Sequence, residues 1–140
     1  MDRPDDRDLI SVDYYLGAFG PTIRLHVLSV ARLNELKGIF LLLAEGSVQE
    51  VDLAQRHLSK TAGLNSLILK FVSEGQTKEK NLVLIKDEFQ RLNFIWSGFS
   101  EHWLTCAGLV DGLVGSDQPG HQYLTAEGIG DALVELAYME

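Results

Sequence analysis

The stretch Phe94–Gly115, FIWSGFSEHWLTCAGLVDGLVG, decides how the rest of the chain is read. It holds both tryptophans, the only cysteine and one of the four histidines. Leu92, Phe94 and Trp96 alternate with Asn93, Ile95 and Ser97, the period of a strand with one apolar face. Ser97 and Gly98 break that strand. Ser100 then offers an N-cap, and Glu101 sits where the helix dipole favours an acid. Trp103, Cys106, Ala107, Val110 and Val114 recur at steps of three and four, with Leu109 and Leu113 on the flank, which is one face of a helix. Gly115 suits the residue just past the helix, and Pro119 follows. Each large aromatic at this strand-to-helix turn can cover ~150–250 Å² of core.

Upstream, Ile10, Val12, Tyr14 and Leu16 alternate with polar neighbours, and so do Ile23, Leu25 and Val27. Gly17, Gly20 and Pro21 between them predict a hairpin. Ser29 caps a helix running to about Glu45, with Leu33, Leu36, Ile39, Phe40, Leu43 and Ala44 on its apolar face and Gly46 ending it. Val48–Arg56 reads as a short edge strand and Lys60–Asn65 as a loop. Leu67–Val72 and Leu82–Ile85 read as strands joined by a polar hairpin loop over 73–80. Phe89–Trp96 continues as a meander. Residues 115–130 are rich in glycine and polar side chains. Ala132–Tyr138 alternates as a strand, although a short helix fits nearly as well. The expected fold is therefore α+β: an antiparallel sheet of about six strands carrying two amphipathic helices, in the order ββα-β-βββ-α-β.

A chain of 140 residues with 46% hydrophobic side chains is expected to form a single domain over 9–140, behind a mobile charged tail over 1–8. No apolar run reaches the ~18–20 residues of a membrane helix. MDRPDDRDLI lacks the apolar segment of a secretory signal, and one cysteine cannot close an intramolecular disulfide. The expected location is the cytoplasm. Residues 1–86 carry eleven acids and eleven bases, whereas 87–140 carry nine acids and only Arg91, so the net charge of −8 resides in the last part of the chain. That sign argues against nucleic acid, whose phosphates attract Lys and Arg. It suits a basic partner steered by Glu101, Asp111, Asp117, Glu127 and Asp131. The plainer reading of these acids is a solvated surface.

Candidate chemistry is sparse. His102 and Cys106 are four apart on one helix and can meet. No third or fourth ligand accompanies them, and a cysteine among leucines and valines has its thiolate disfavoured, so no metal and no cofactor are expected. His121, Gln122 and Tyr123 follow Pro119-Gly120 and can line a ligand pocket, with Glu127 or Asp131 as an orienting carboxylate for His121. Gly108 and Gly112 are four apart and invite close approach of another backbone. Gly128-Ile129-Gly130 is only a fragment of a dinucleotide fingerprint. In general type the chain resembles small bacterial α+β proteins, some of which are immunity proteins that neutralise toxins. That resemblance rests on no motif and carries over no residue. The leading expectation is a non-enzymatic protein-binding domain of the immunity or inhibitor type. The alternatives are a small-ligand binder or enzyme using His102 and His121–Tyr123, and a homodimer whose role is assembly.

Overall fold

The computed structural model describes residues 9–56, 59–73, 80–116, 118–125 and 130–139. The expected tail over 1–8, most of the polar loop over 73–80, and the candidates Asp117 and Glu127 lie outside the described residues.

Strands β1 (Ile10–Gly17) and β2 (Gly20–Val27) form the expected hairpin, in register from Ile10 opposite Val27 to Gly17 opposite Gly20. Gly20 takes a φ of 109° at the turn, a conformation open to glycine. Helix α1 (Val30–Glu45) follows. Ser29 caps it, its hydroxyl oxygen accepting from the Arg32 amide at 3.2 Å. Gly46 closes it at φ 73°, while the amides of Gly46 and Ser47 return to the carbonyls of Leu43 and Leu42. Its six buried residues are the six that the sequence spacing selects.

The remaining elements are β3 (Glu50–Asp52), a 3-10 turn at Leu53–Gln55, β4 (Ser59–Ala62), β5 (Ser66–Phe71), β6 (Leu82–Lys86), β7 (Leu92–Gly98), α2 (Ser100–Val114), β8 (Gly120–Tyr123) and β9 (Leu133–Tyr138). The fold is α+β, but it is not one antiparallel sheet of about six strands. The nine strands build two mixed sheets, one ordered β4-β1-β2-β9-β8 and the other β3-β5-β7-β6. Residues 60–62, read as the start of a loop over 60–65, instead belong to β4, which pairs in parallel with β1. The C-terminal segment resolves as a strand, parallel to β2.

The expected hairpin between β5 and β6 does not form either. β5 pairs with β7 in parallel, and β6 lies on the far side of β7. The free edge of β6 is closed by Asp131, whose amide donates to the Leu82 carbonyl and whose carboxylate accepts from the Leu84 amide, both at 2.8 Å. The β7 edge left for β5 places Leu67 beside Phe94 and Leu69 beside Trp96, all buried. Burial of large side chains, rather than nearness in sequence, selects the neighbour.

One continuous core joins both sheets and both helices. Tyr14 meets Phe94 across the sheets with ring centroids 5.3 Å apart. Phe40 of α1 stacks on Trp103 of α2 at 5.7 Å and meets Trp96 edge-on at 5.9 Å. Helix α2 starts differently from expectation. Its N-cap is Phe99, with no side-chain capping bond, because the Ser100 hydroxyl donates instead to the Ala44 carbonyl at 2.6 Å. Gly115 ends the helix with φ −79°, in right-handed geometry, so glycine is not required there for its backbone.

Candidate functional site

The aromatic packing that builds the core also governs the first candidate pair. His102 sits edge-on to both Trp96 and Trp103, at 5.5 and 4.6 Å between ring centroids. Gly98 makes room for it, since a Cβ at that position would lie 2.3 Å from the imidazole Cδ2. Cys106 Sγ is 3.8 Å from His102 Nε2 and 3.9 Å from the Leu124 carbonyl. Desolvation pushes the imidazole pKa down to about 4 and the thiol up to about 12. Both groups are therefore neutral near pH 7. A nucleophilic Cys–His pair needs the reverse, a thiolate beside an imidazolium. The described residues contain no group of three His, Cys, Asp or Glu side chains able to hold a metal ion.

The second candidate set lies on an edge strand, where a loop was expected. His121, Gln122 and Tyr123 form most of β8 and are all exposed. Alternation sends His121 and Tyr123 to the outer face of the five-stranded sheet and Gln122 to the other. Tyr123 stands opposite Glu135 of β9, which stands opposite Arg24 of β2, which stands opposite Asp13 of β1. One row of side chains thus crosses four strands on the face opposite the buried Ile23, Leu25, Val134 and Leu136. Glu135 accepts from the Tyr15 hydroxyl at 3.1 Å. Desolvation, then the bond to Glu135, raises the Tyr15 pKa; desolvation, then the charge of Glu135, raises that of Tyr123. The Arg24 guanidinium lies over the Tyr15 ring, 5.6 Å from its centroid.

At the end of this row is a hollow of about 250 Å³ lined by Phe19, Tyr123, Thr125 and Leu133. Phe19, at the tip of the β1–β2 hairpin, is 62% exposed and meets Tyr123 edge-on at 6.4 Å. No histidine or carboxylate belongs to that lining among the described residues. Sequence reasoning singled out Tyr123 but not Tyr15, Phe19, Arg24 or Glu135. Phe19 carried a signal nonetheless: a large aromatic between Gly17 and Gly20 at a tight turn has little core to enter.

The acidic candidates separate into different roles. Asp111 is ion-paired with Lys37 of α1 at 2.7 Å. Asp131 is paired with Lys80 at 2.8 Å in addition to closing the β6 edge, and these bonds hold its carboxyl below the usual carboxylate range. Glu101 is exposed in the first turn of α2, beside a hollow of about 370 Å³ lined by Phe71, Val72, Ser73, Phe99, Ser100 and Leu104. Gly108 and Gly112 approach nothing: a Cβ on either would meet no atom within 4 Å. The close backbone contact expected of them is not made among the described residues.

Comparison with models of protein families, with curated proteins and with solved structures found no match for this chain.

Proposed function

We propose that this protein works without catalysis, as a protein-binding domain that engages its partner through the outer face of the five-stranded sheet. The observation that carries this reading is the exposed Phe19–Tyr123 pair at the rim of an apolar hollow, continuous with the Glu135–Arg24–Asp13 row. Tyrosine, phenylalanine and arginine are side chains that interfaces concentrate at their centres. A phenylalanine left 62% exposed adds less to the stability of the chain than one buried in the core. The net charge of −8 supports a basic partner, brought in by long-range attraction, as in an inhibitor or immunity protein acting on a basic enzyme.

A small-ligand site at the same place is less well supported. Drug-sized ligands occupy pockets of roughly 300–1,000 Å³ with a few converging polar groups. The hollow is about 250 Å³ and its lining offers mainly apolar surface, enough for one side chain of a partner.

Photo-crosslinking tests the reading. A benzoylphenylalanine placed at position 19 should give a discrete cross-link to a second protein in native-host extract. The same probe at Ile85, exposed on the four-stranded sheet, should not. Equal cross-linking at both positions, or none at 19, would overturn the proposal. A cross-link of the chain to itself would replace it with the homodimer reading.

A further inference from the structure

We infer that the hollow between Phe19 and Tyr123 receives one cationic side chain of the partner, an arginine or a lysine, with Glu135 as its counter-charge. This deepens the protein-binding reading and rests on it.

Glu135 is only partly exposed, and it participates in none of the ion pairs among the described residues. Its hydrogen-bond donors here are neutral, the hydroxyls of Tyr15 and Tyr123. Arg24 is opposite it in register yet lies over the Tyr15 ring. The carboxylate therefore has no ion-pair partner within 4 Å among the described residues, on a face that carries the Tyr15 and Tyr123 rings. Partly desolvated carboxylates attract cations more strongly than solvated ones, because the local dielectric is lower. Tyr123 is directly opposite Glu135, and Leu133 lies two residues earlier on the same face of β9, so the carboxylate stands at the edge of the hollow. The walls of Phe19, Tyr123 and Leu133 suit the apolar stem of an arginine or lysine, whose charged head would then reach the Tyr123 ring and Glu135. Arg24 over Tyr15 is an intramolecular instance of the same contact on the same face. An anionic occupant is disfavoured by Glu135, by Asp13 on the same row, and by the charge of −8.

The test uses two capped tripeptides, acetyl-Gly-Arg-Gly-amide and its citrulline counterpart, which keeps the shape and loses the charge. Both are titrated into the isotopically labelled full chain and followed by NMR. The arginine peptide should shift the amides of Phe19, Tyr123, Thr125 and Glu135, and the citrulline peptide should bind at least about fivefold more weakly. Glu135→Gln should abolish that difference, and Tyr123→Leu should weaken the arginine peptide while keeping an apolar wall. Both side chains lie at the surface, and an unchanged amide spectrum elsewhere would verify folding. Equal binding of the two peptides to the unaltered chain, or arginine binding indifferent to Glu135→Gln, would overturn the inference. If the position-19 cross-link persists in Glu135→Gln while the peptides show no charge preference, the cation site falls and the protein-binding reading stands. Loss of the cross-link in the unaltered chain removes the protein-binding reading itself.

Discussion

The two helices lie against each other but are held by different means. Helix α1 is specified locally: a serine bonds its first turn, a left-handed glycine closes its last, and its apolar face is uninterrupted. Helix α2 has no side-chain cap and carries Gly108 and Gly112 on its exposed side. What holds α2 is its inward face. Trp103, Cys106, Ala107, Val110 and Leu113 are buried, and the Trp103 indole donates to the Gly98 carbonyl at 2.9 Å, tying the helix to the strand before it. An amphipathic helix draws most of its stability from tertiary packing, so a core anchor can offset weak ends.

The contrast can be broken most severely at the anchor. Trp103→Ala should cost roughly 3–5 kcal/mol, because it removes a fully buried indole and leaves a cavity beside Phe40 and Trp96. Urea unfolding followed by circular dichroism would measure it, and a loss under 1 kcal/mol would mean that α2 is not held by its core face.

Next in size is a pH effect peculiar to α2. The His102 pKa falls from an ordinary 6.5 to about 4 on folding, through desolvation. The unfolded chain then binds the proton more readily. The contribution is present above pH 6.5 and is lost as the pH falls towards 4, a change on the order of 3 kcal/mol. Unfolding at several pH values should show this decline, and His102→Gln should flatten it. An unaltered slope in that variant would place the acid sensitivity elsewhere.

The glycines sharpen the comparison in the opposite direction. Gly108→Ala and Gly112→Ala place methyl groups in open space. Each should stabilise the chain by about 0.5–1 kcal/mol through helix propensity alone. A melting temperature that drops in either variant would reveal a contact made by that face.

An effect of similar size belongs to the locally specified helix. Ser29→Ala removes the bond to the Arg32 amide and should cost about 1 kcal/mol. Ser29→Asp should retain most of the stability, since aspartate also caps. If both substitutions cost the same, the cap is not the source.

How legible each part was in the sequence follows the same division. Helix α1 and the first hairpin could be read because their signals are contiguous: a capping serine, a closing glycine, strict alternation. The β5–β6 hairpin was misread because two apolar strands around a polar loop look like a hairpin whichever strand lies between them. The bond of Asp131 to the Leu84 amide was not legible, because nothing in its neighbourhood in the sequence announces the β6 edge that it serves. The proposed binding face was only partly visible. Tyr123 drew notice, but Tyr15 and Glu135 are 120 residues apart and meet only because β2 and β9 pair in parallel.

The sequence alone determined the α+β class, both helices with their inward faces, the first hairpin, and the acidic balance. These depend on periodicity, capping and composition, which act over a few residues or are simple sums. Tertiary structure alone decided that there are two sheets, which strand neighbours which, and that His102 is half-buried edge-on to Trp96 and Trp103. It also decided that Phe19, Tyr123 and Glu135 share one surface. Those outcomes turn on which distant apolar faces bury best together, and that competition is settled only when the whole chain packs.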